Sequence, residues 1–318
     1  MKILITGING YIGSHITTHL VNNGHIITGL TNTNFDSPIP WEKDQVNIIV
    51  DDIRNKSVLH SLAKNNFDAI IHLVSLDHNS SEGELEFVNS VNVLPTWNLL
   101  DIFSKKGLKK FIYFSTQQVY GRLSSTIVTE AHPVAPVNNY GLTHLMSEDI
   151  VNMYNRATNT DAISIRLSNS YGSPIFYENN CWWLVVNDLC KTAFQEKKIQ
   201  LLSDGSPVRD FIHVTDVAAA IETLLINDTK DENVFNISSG QTLSILKLAH
   251  LVKTEYKKFF GINIDVILKD GTISLLDDIF DKTSKYTINP DKIVELGFTP
   301  HVSIEQGIRS LFTYLQNK

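Results

Sequence analysis

The stretch that most constrains this chain is Lys2-Ile3-Leu4-Ile5-Thr6-Gly7-Ile8-Asn9-Gly10-Tyr11-Ile12-Gly13. Ile3, Leu4 and Ile5 form a short continuous apolar run, the pattern of a parallel strand buried on both faces. Gly7, Gly10 and Gly13 follow at three-residue steps. Ile12, Ile16 and Leu20 then fall four apart, the apolar stripe of a helix, and Asn23-Gly24 supplies its stop. The unit reads as strand, tight turn, helix. Gly7 lets the chain turn sharply, Gly10 leaves room for phosphate oxygens, and Gly13 lets the helix sit close on the strand. The helix amino end offers unpaired N–H groups and a favourable dipole to an anion. Residues 7–13, with Asn9, Tyr11 and Ile12 carried in the same turn, therefore predict a cradle for a diphosphate.

The rest of the chain repeats the alternation of strand and helix. Residues 25–30, 46–50, 69–73 and 110–114 read as strands. Residues 55–64 and 84–104 read as helices, the second kinked by Pro95. Such alternation implies an α/β fold with a Rossmann-type doubly wound parallel sheet. The carboxyl-terminal half is less regular. Residues 182–194, 243–259 and 303–315 read as helices, 234–237 as a strand, and 205–209 as a loop. We expect a dinucleotide-binding domain over residues 1–170, its sheet completed by segments near 209–238. A smaller, mixed substrate-binding domain is expected over 171–318.

A chain of 318 residues can bury a full core. Its net charge of −7, with no basic face, argues against nucleic acid as a partner. No stretch has the length of a membrane span, and the amino terminus does not read as a signal peptide. Cys181 and Cys190 are the only cysteines, and they are expected to be reduced and packed, in a cytoplasmic protein. His72, His78, His132, His213 and His301 are scattered, so no metal site is expected.

A second constellation lies further on: Phe114-Ser115-Thr116-Gln117-Gln118-Val119-Tyr120-Gly121, then Tyr140-Gly141-Leu142-Thr143-His144. The first leaves the end of a strand, where ligands bind in open α/β sheets. The second opens a helix and puts Tyr140 and His144 on one face. With the glycine turn, these segments resemble the extended short-chain dehydrogenase/reductase family, in its NAD-dependent epimerase/dehydratase group. The matching segments run from Ile3 to about Gly307.

That resemblance implies roles. In the family a tyrosine exchanges a proton with the substrate oxygen while the nicotinamide exchanges a hydride. A serine or threonine hydrogen-bonds the same oxygen, and a lysine binds the nicotinamide ribose and lowers the tyrosine pKa. By position Tyr140 is the acid/base and Thr116 its hydroxyl partner. His144 occupies the place of the lysine, the largest departure from the pattern. Protonated, it would favour the tyrosinate and donate to the ribose; neutral, it would supply a hydrogen bond without charge. The expected consequences are a more acidic pH optimum, a slower enzyme, or a protein that binds cofactor without turning over.

The resemblance also assigns Leu73, Val74 and Ser75 to the turn beside the cofactor, and Asn92 to the support of the active-site floor. Asp52 and Ile53 resemble the family's adenine-contacting pair, although Asp52 also reads as a cap for the helix at 55–64. Thr31 and Asn32 stand where an acidic residue selects NAD or a basic one favours NADP; both are neutral, which leaves the form of the cofactor open. Gln117 and Gln118 replace the Asp-Glu pair of the family's 4,6-dehydratases, and amides cannot exchange protons that way, which disfavours dehydration.

At the substrate end, Asn169 and Arg209 resemble residues that contact a sugar or a nucleotide diphosphate. An arginine fork suits phosphate, and a surface ion pair of Arg209 with Asp204 or Asp210 is the alternative. Asn187 is a further candidate for reading a base or sugar; Cys181-Trp182-Trp183 reads as packing, with Trp182 and Trp183 lining the pocket as the alternative. The implied activity is NAD(P)-dependent epimerisation or reduction of a nucleotide-linked sugar. Reduction of a non-nucleotide carbonyl and a non-catalytic dinucleotide-binding protein are the alternatives. The resemblance implies a homodimer paired through the helices of Asn92 and Tyr140, the latter carrying Met146, Ile150 and Met153.

Overall fold

The computed structural model describes residues 1–275 and 286–318. Seven parallel strands form the central sheet, in the order Val234–Ile237, Asp161–Leu167, Lys110–Thr116, Ala69–His72, Lys2–Thr6, Ile26–Thr31 and Val46–Val50. The chain starts in the middle, runs out to one edge, and returns to build the other side. The order therefore reverses between Lys2–Thr6 and Ala69–His72, and the crevice at that reversal is where an open α/β sheet binds ligands.

Side-chain alternation along the strands fills two cores. Ile3, Ile5, Ile71, Ile112, Ile163 and Ile165 face the helices Tyr11–Asn22 and Val214–Ile226, packing on Ile16, Leu20, Val217, Ile221 and Leu224. Leu4, Ile70, Phe111, Tyr113 and Ala162 face the other way, onto Leu59, Leu62, Leu99, Phe103 and Val151. Burying a side chain of this size stabilises the fold by about 1.5–3 kcal/mol.

A further core gathers the helices Val185–Glu196, Ile245–Phe260 and Ile304–Gln316 around Tyr171, Leu248, Tyr256 and Phe312. Of the segments expected near 209–238, only Val234–Ile237 joins the main sheet. Val208–His213 pairs instead with Asn169–Tyr171 and Thr242–Ser244 in a separate three-stranded sheet. Its alternating residues explain this: Phe211 enters the third core while Ile212 enters the first. Its start at Val208 also shortens the loop expected at 205–209.

Three helices differ from expectation. The segment 84–104 is two helices, Leu85–Asn92 and Leu94–Ser104, broken at Val93 with φ −115° and ψ −55°. Pro95 then lies in the first turn of the second helix, where its missing N–H breaks no hydrogen bond. The helix expected from residue 182 begins at Val185. Asn55, not Asp52, caps Lys56–Leu62, its side chain accepting from the Ser57 N–H.

The glycine turn has the expected shape. Gly7 has φ +78°, and a Cβ on Gly13 would lie 2.2 Å from the Gly7 carbonyl oxygen. A Cβ on Gly10 would lie 3.0 Å from the same atom. Gly13→Ala should therefore lower the urea midpoint, at a cost of about 1–3 kcal/mol, and Gly10→Ala should cost less. Equal midpoints for the two variants would contradict the close helix–strand contact.

Candidate active site

A cavity of about 590 Å³ opens at the carboxyl ends of the central strands. It brings together Gly7, Asn9, Gly10, Tyr11, Ile12 and Gly13 of the glycine turn, Thr31 and Asn32 at the end of Ile26–Thr31, and Leu73, Val74 and Ser75 after Ala69–His72. Thr116, Gln117, Gln118, Tyr140, His144 and Asn169 line its other side. The helix Tyr11–Asn22 enters it amino end first, and its cap, Gly10, places no side chain over the terminal N–H groups. Among the described residues, no lysine or arginine lines the cavity. An anion there would meet backbone donors and a helix dipole rather than a side-chain cation.

Tyr140 is the second residue of the helix Asn139–Ala157. Asn138 caps that helix, accepting from the Gly141 N–H at 2.8 Å, and so fixes where Tyr140 emerges. Burial pushes the Tyr140 hydroxyl up to about 12, the Thr116 side chain pulls it back by hydrogen bonding, and the Asp77 carboxylate raises it. Thr116 ends the strand Lys110–Thr116 and is itself held in place, its Oγ1 accepting from the Gln118 N–H at 3.2 Å.

His144 lies one turn after Tyr140, the two rings edge to face with centroids 4.5 Å apart. It is buried at 2 % exposure. Its Nδ1 lies 2.8 Å from the Tyr113 hydroxyl and its Nε2 3.2 Å from Ser75 Oγ. Burial pushes the ring down to about 4, against the pull of the Phe114 carbonyl. That burial favours the neutral ring at pH 7 and disfavours the protonated form on which an acidic optimum would rest.

Three comparisons with known proteins bear on this geometry. Residues 3–238 match the model of the NAD dependent epimerase/dehydratase family. The chain belongs to that family. A relative described as a putative UDP-glucose 4-epimerase, from Methanocaldococcus jannaschii, is 28 % identical over 99 % of this chain and 98 % of its own length. A UDP-glucose 4-epimerase of Oryza sativa is 30 % identical, over 89 % of this chain and 76 % of its own. The fold matches the crystal structure of a UDP-glucose 4-epimerase with UDP-glucose from Thermotoga maritima, with a TM-score of 0.83 at 23 % identity, covering 100 % of this chain and 99 % of that one.

In this epimerase/dehydratase family member, five residues singled out from the sequence lie off the cavity lining. Asp52 pairs with Arg54 at 2.5 Å on the surface, which holds its carboxyl below the usual range, and Ile53 is buried among Leu4, Leu30 and Leu59. Asn92 is buried beneath the site. It accepts from the Leu76 N–H at 2.8 Å and donates to Thr143 Oγ1 at 3.0 Å, tying the turn at 73–76 to the helix of Tyr140.

Asn187, the candidate for reading a base or sugar, is buried and hydrogen-bonded within the fold rather than on the cavity lining. It accepts from the Gly172 N–H and donates to the Gly172 and Cys181 carbonyls. Arg209 donates to the Val208 carbonyl at the surface. Neither alternative ion pair is formed: Asp204 accepts from the Ser206 N–H and hydroxyl, and Asp210 is fully buried.

Other lining residues carried no strong sequence signal. Asp77 and His78 follow the turn at 73–76, and the His78 ring lies tilted against the exposed Trp183 with centroids 5.6 Å apart; Trp183 lines the cavity, whereas Trp182 does not. Tyr113 lies behind the cavity. Its signal was the strand period, which turns Tyr113 and Ser115 toward the helix of Tyr140 while Thr116 ends at the site.

Asp210 adjoins the substrate end, beneath Ser168 and Asn169. Its backbone carbonyl accepts from Asn169 Nδ2 at 2.8 Å, and among the described residues neither carboxyl oxygen has a hydrogen bond of normal length. Burial pushes the carboxyl up to about 7, against the pull of the Ser168 side chain and the N–H groups of Ser239, Gly240 and Gln241. The folded state thus holds this proton to higher pH than the unfolded chain, whose aspartates titrate near ~3.9. The stabilisation is complete below the unfolded value and declines as pH rises through the folded one. The melting-temperature difference between wild type and Asp210→Asn should fall between about pH 4 and pH 8; a constant difference would mean that Asp210 does not hold the proton.

Proposed function

We propose that this chain is an NAD(P)-dependent enzyme that moves a hydride at the C4 carbinol or keto carbon of a nucleotide-linked sugar, as an epimerase or a reductase. The observation that carries this reading is the convergence of Tyr140 and Thr116 on a cavity floored by an uncapped helix amino end. UDP-sugar 4-epimerases among the relatives support the substrate class.

The residues of residues 7–13 fit a dinucleotide diphosphate, since Gly10 leaves the terminal N–H groups open. When bound, the nicotinamide supplies or accepts the hydride. Thr116 orients the substrate oxygen, and Tyr140 gives or takes its proton. Gln117 and Gln118 hold the sugar without the proton exchange that dehydration requires. Asn169, whose Nδ2 is committed to Asp210, turns its remaining oxygen to the sugar or diphosphate.

Arg209 off the cavity lining favours a second reading, reduction of a carbonyl carried by no nucleotide. Nucleotide extraction followed by assay separates the two. Retained NAD(H) with interconversion of UDP-glucose and its 4-epimer supports an epimerase. Consumption of NADPH or NADH with a UDP-4-keto sugar supports a reductase. Turnover of simple ketones alone sinks the sugar reading, and failure to bind any dinucleotide sinks the catalytic one.

Tyr140→Phe should lower kcat by about 10²–10⁴-fold while the fold, followed by circular dichroism, is unchanged. Because the hydroxyl sits near 12, oxidation should climb with pH above neutrality, where the tyrosinate population grows. Reduction, which uses the protonated form, should stay flat. A kcat for oxidation that is flat across pH 6–9 would count against Tyr140 as the base.

The proposal puts the protein in the cytoplasm, which keeps the buried thiols of Cys181 and Cys190 reduced. Among the described residues no helix is long and apolar enough to cross a membrane. Its macromolecular partner is a second copy. Leu94 and Trp97 are exposed on one helix, and Leu142, Met146 and Met153 on the neighbouring one, whereas Ile150 is buried. Met146→Glu should convert a dimer to a monomer in light scattering; a wild-type monomer at micromolar concentration would reject the pairing.

A further inference from the structure

The hydrogen bonds around His144 determine which of its nitrogens carries the proton. Ser75 Oγ donates its only proton to the Leu76 carbonyl, at 2.9 Å. With that shorter bond in place, the 3.2 Å contact between Ser75 Oγ and His144 Nε2 is assigned an Nε2–H donor. A neutral ring with that tautomer has a bare Nδ1, which accepts from the Tyr113 hydroxyl at 2.8 Å.

Two other groups face these rings: the Phe114 carbonyl, which accepts from the His144 ring, and the Ser147 side chain, which hydrogen-bonds the Tyr113 hydroxyl. Tyr113 comes from the adjacent strand, is 1 % exposed, and burial raises its hydroxyl well above the ordinary value, so it remains a donor. On the far side of Tyr113, His72 holds Thr6 Oγ1 at 2.7 Å and is itself neutral, pushed down to about 3 by burial. On its own helix His144 has Tyr140 before it and Glu148 after it, and Glu148 is already paired with Arg166 at 2.7 Å. Asp77, in the turn after His72, accepts from the Ser80 N–H.

We propose that Tyr113 is a positioning residue that locks His144 as the Nε2–H tautomer, so that the ring meets a bound dinucleotide as a neutral hydrogen-bond donor where the family pattern has a cation. This rests on the functional reading above only for the identity of the ligand. The ring stands on the cavity wall beside Ser75, and its Nε2–H, given to Ser75 Oγ in the free protein, would pass to a ligand hydroxyl that shares or replaces that contact. A neutral donor of fixed direction binds a hydroxyl without depending on pH across the physiological range.

The test uses the full-length protein labelled with ¹⁵N-histidine, with His144 assigned by its loss in His144→Gln. Long-range ¹H–¹⁵N spectra should find Nε2 protonated and Nδ1 bare, unchanged from pH 7.5 to 5.5. In Tyr113→Phe, at wild-type melting temperature, a mixture of both tautomers should appear. NAD and NADP titrations followed by tryptophan fluorescence should be pH-independent over the same range in wild type, and about 3–10-fold weaker in Tyr113→Phe.

A doubly protonated ring at pH 7, an Nδ1–H tautomer, or a Tyr113→Phe spectrum identical to wild type overturns the proposal. Affinity that falls as pH rises through the ordinary histidine range also overturns it, since that is the behaviour of a cation. Should neither dinucleotide bind at all, the functional reading fails and takes the role of the ring with it. The tautomer spectra then report separately whether Tyr113 fixes His144. If Tyr113→Phe is too unstable to label, Tyr113→His keeps a donor in the strand and should restore the single tautomer; a mixed population in that variant rejects the lock.

Discussion

The contact between Gly13 and the Gly7 carbonyl sets the geometry on which the site depends. With no Cβ between them, the first helix can start at the carboxyl end of the first strand, with its amino end aimed into the crevice where the strand order reverses. Tyr11 and His15 then brace that helix to the carbonyls of Gly172 and Ser173. One close approach therefore orients the helix dipole and joins the sheet to the segment leading into the third core. Displacing the helix by the thickness of a methyl group would disturb both.

The opposite wall of the cavity is built on neutral hydrogen bonds. Asn92 ties the turn at 73–76 to the helix of Tyr140, and His144 ties the same turn to Tyr113 at the next level down. A lone buried cation costs several kcal/mol to desolvate unless a paired anion compensates it. The nearest buried carboxylate, Glu148, is fully engaged by Arg166 and by Ser115 at 2.5 Å. An imidazole that gives up its proton escapes the desolvation cost and still supplies one donor and one acceptor. Histidine in this position is thus consistent with its surroundings, and the Tyr113 hydroxyl is the partner that makes it so.

Elements with a strong period were legible in the sequence. The parallel strands, the glycine turn and the helix of Tyr140 carry their pattern in apolar spacing and caps, and family membership follows from segments at those same positions. What was not legible depends on contacts between distant segments. Pro95 signals a disturbed helix, but whether the helix kinks or starts anew depends on Val93. Asn187 has the chemistry of a ligand contact, and only the fold brings Gly172 and Cys181 to consume it. Arg209 sits in a familiar string, yet its guanidinium finds a neighbouring carbonyl at the surface. Tyr113 looked like one more strand aromatic until the helix carrying His144 packed over it.

The charge state of this wall bears on the direction of the proposed chemistry. A cation beside the tyrosine would stabilise its anion in advance, so the same residue could start by taking a proton and finish by returning it. Here burial and Asp77 both disfavour that anion, and only the Thr116 hydrogen bond favours it. Each unit by which the tyrosine lies above ambient pH removes about tenfold of the tyrosinate population. The protonated form, by contrast, is always present. Proton delivery to a carbonyl oxygen needs nothing this site lacks, whereas proton removal from a carbinol must first generate its base. Within the proposed reaction the reductive half is the one the apoprotein is prepared for, and the oxidative half depends on whatever positive charge a bound cofactor brings.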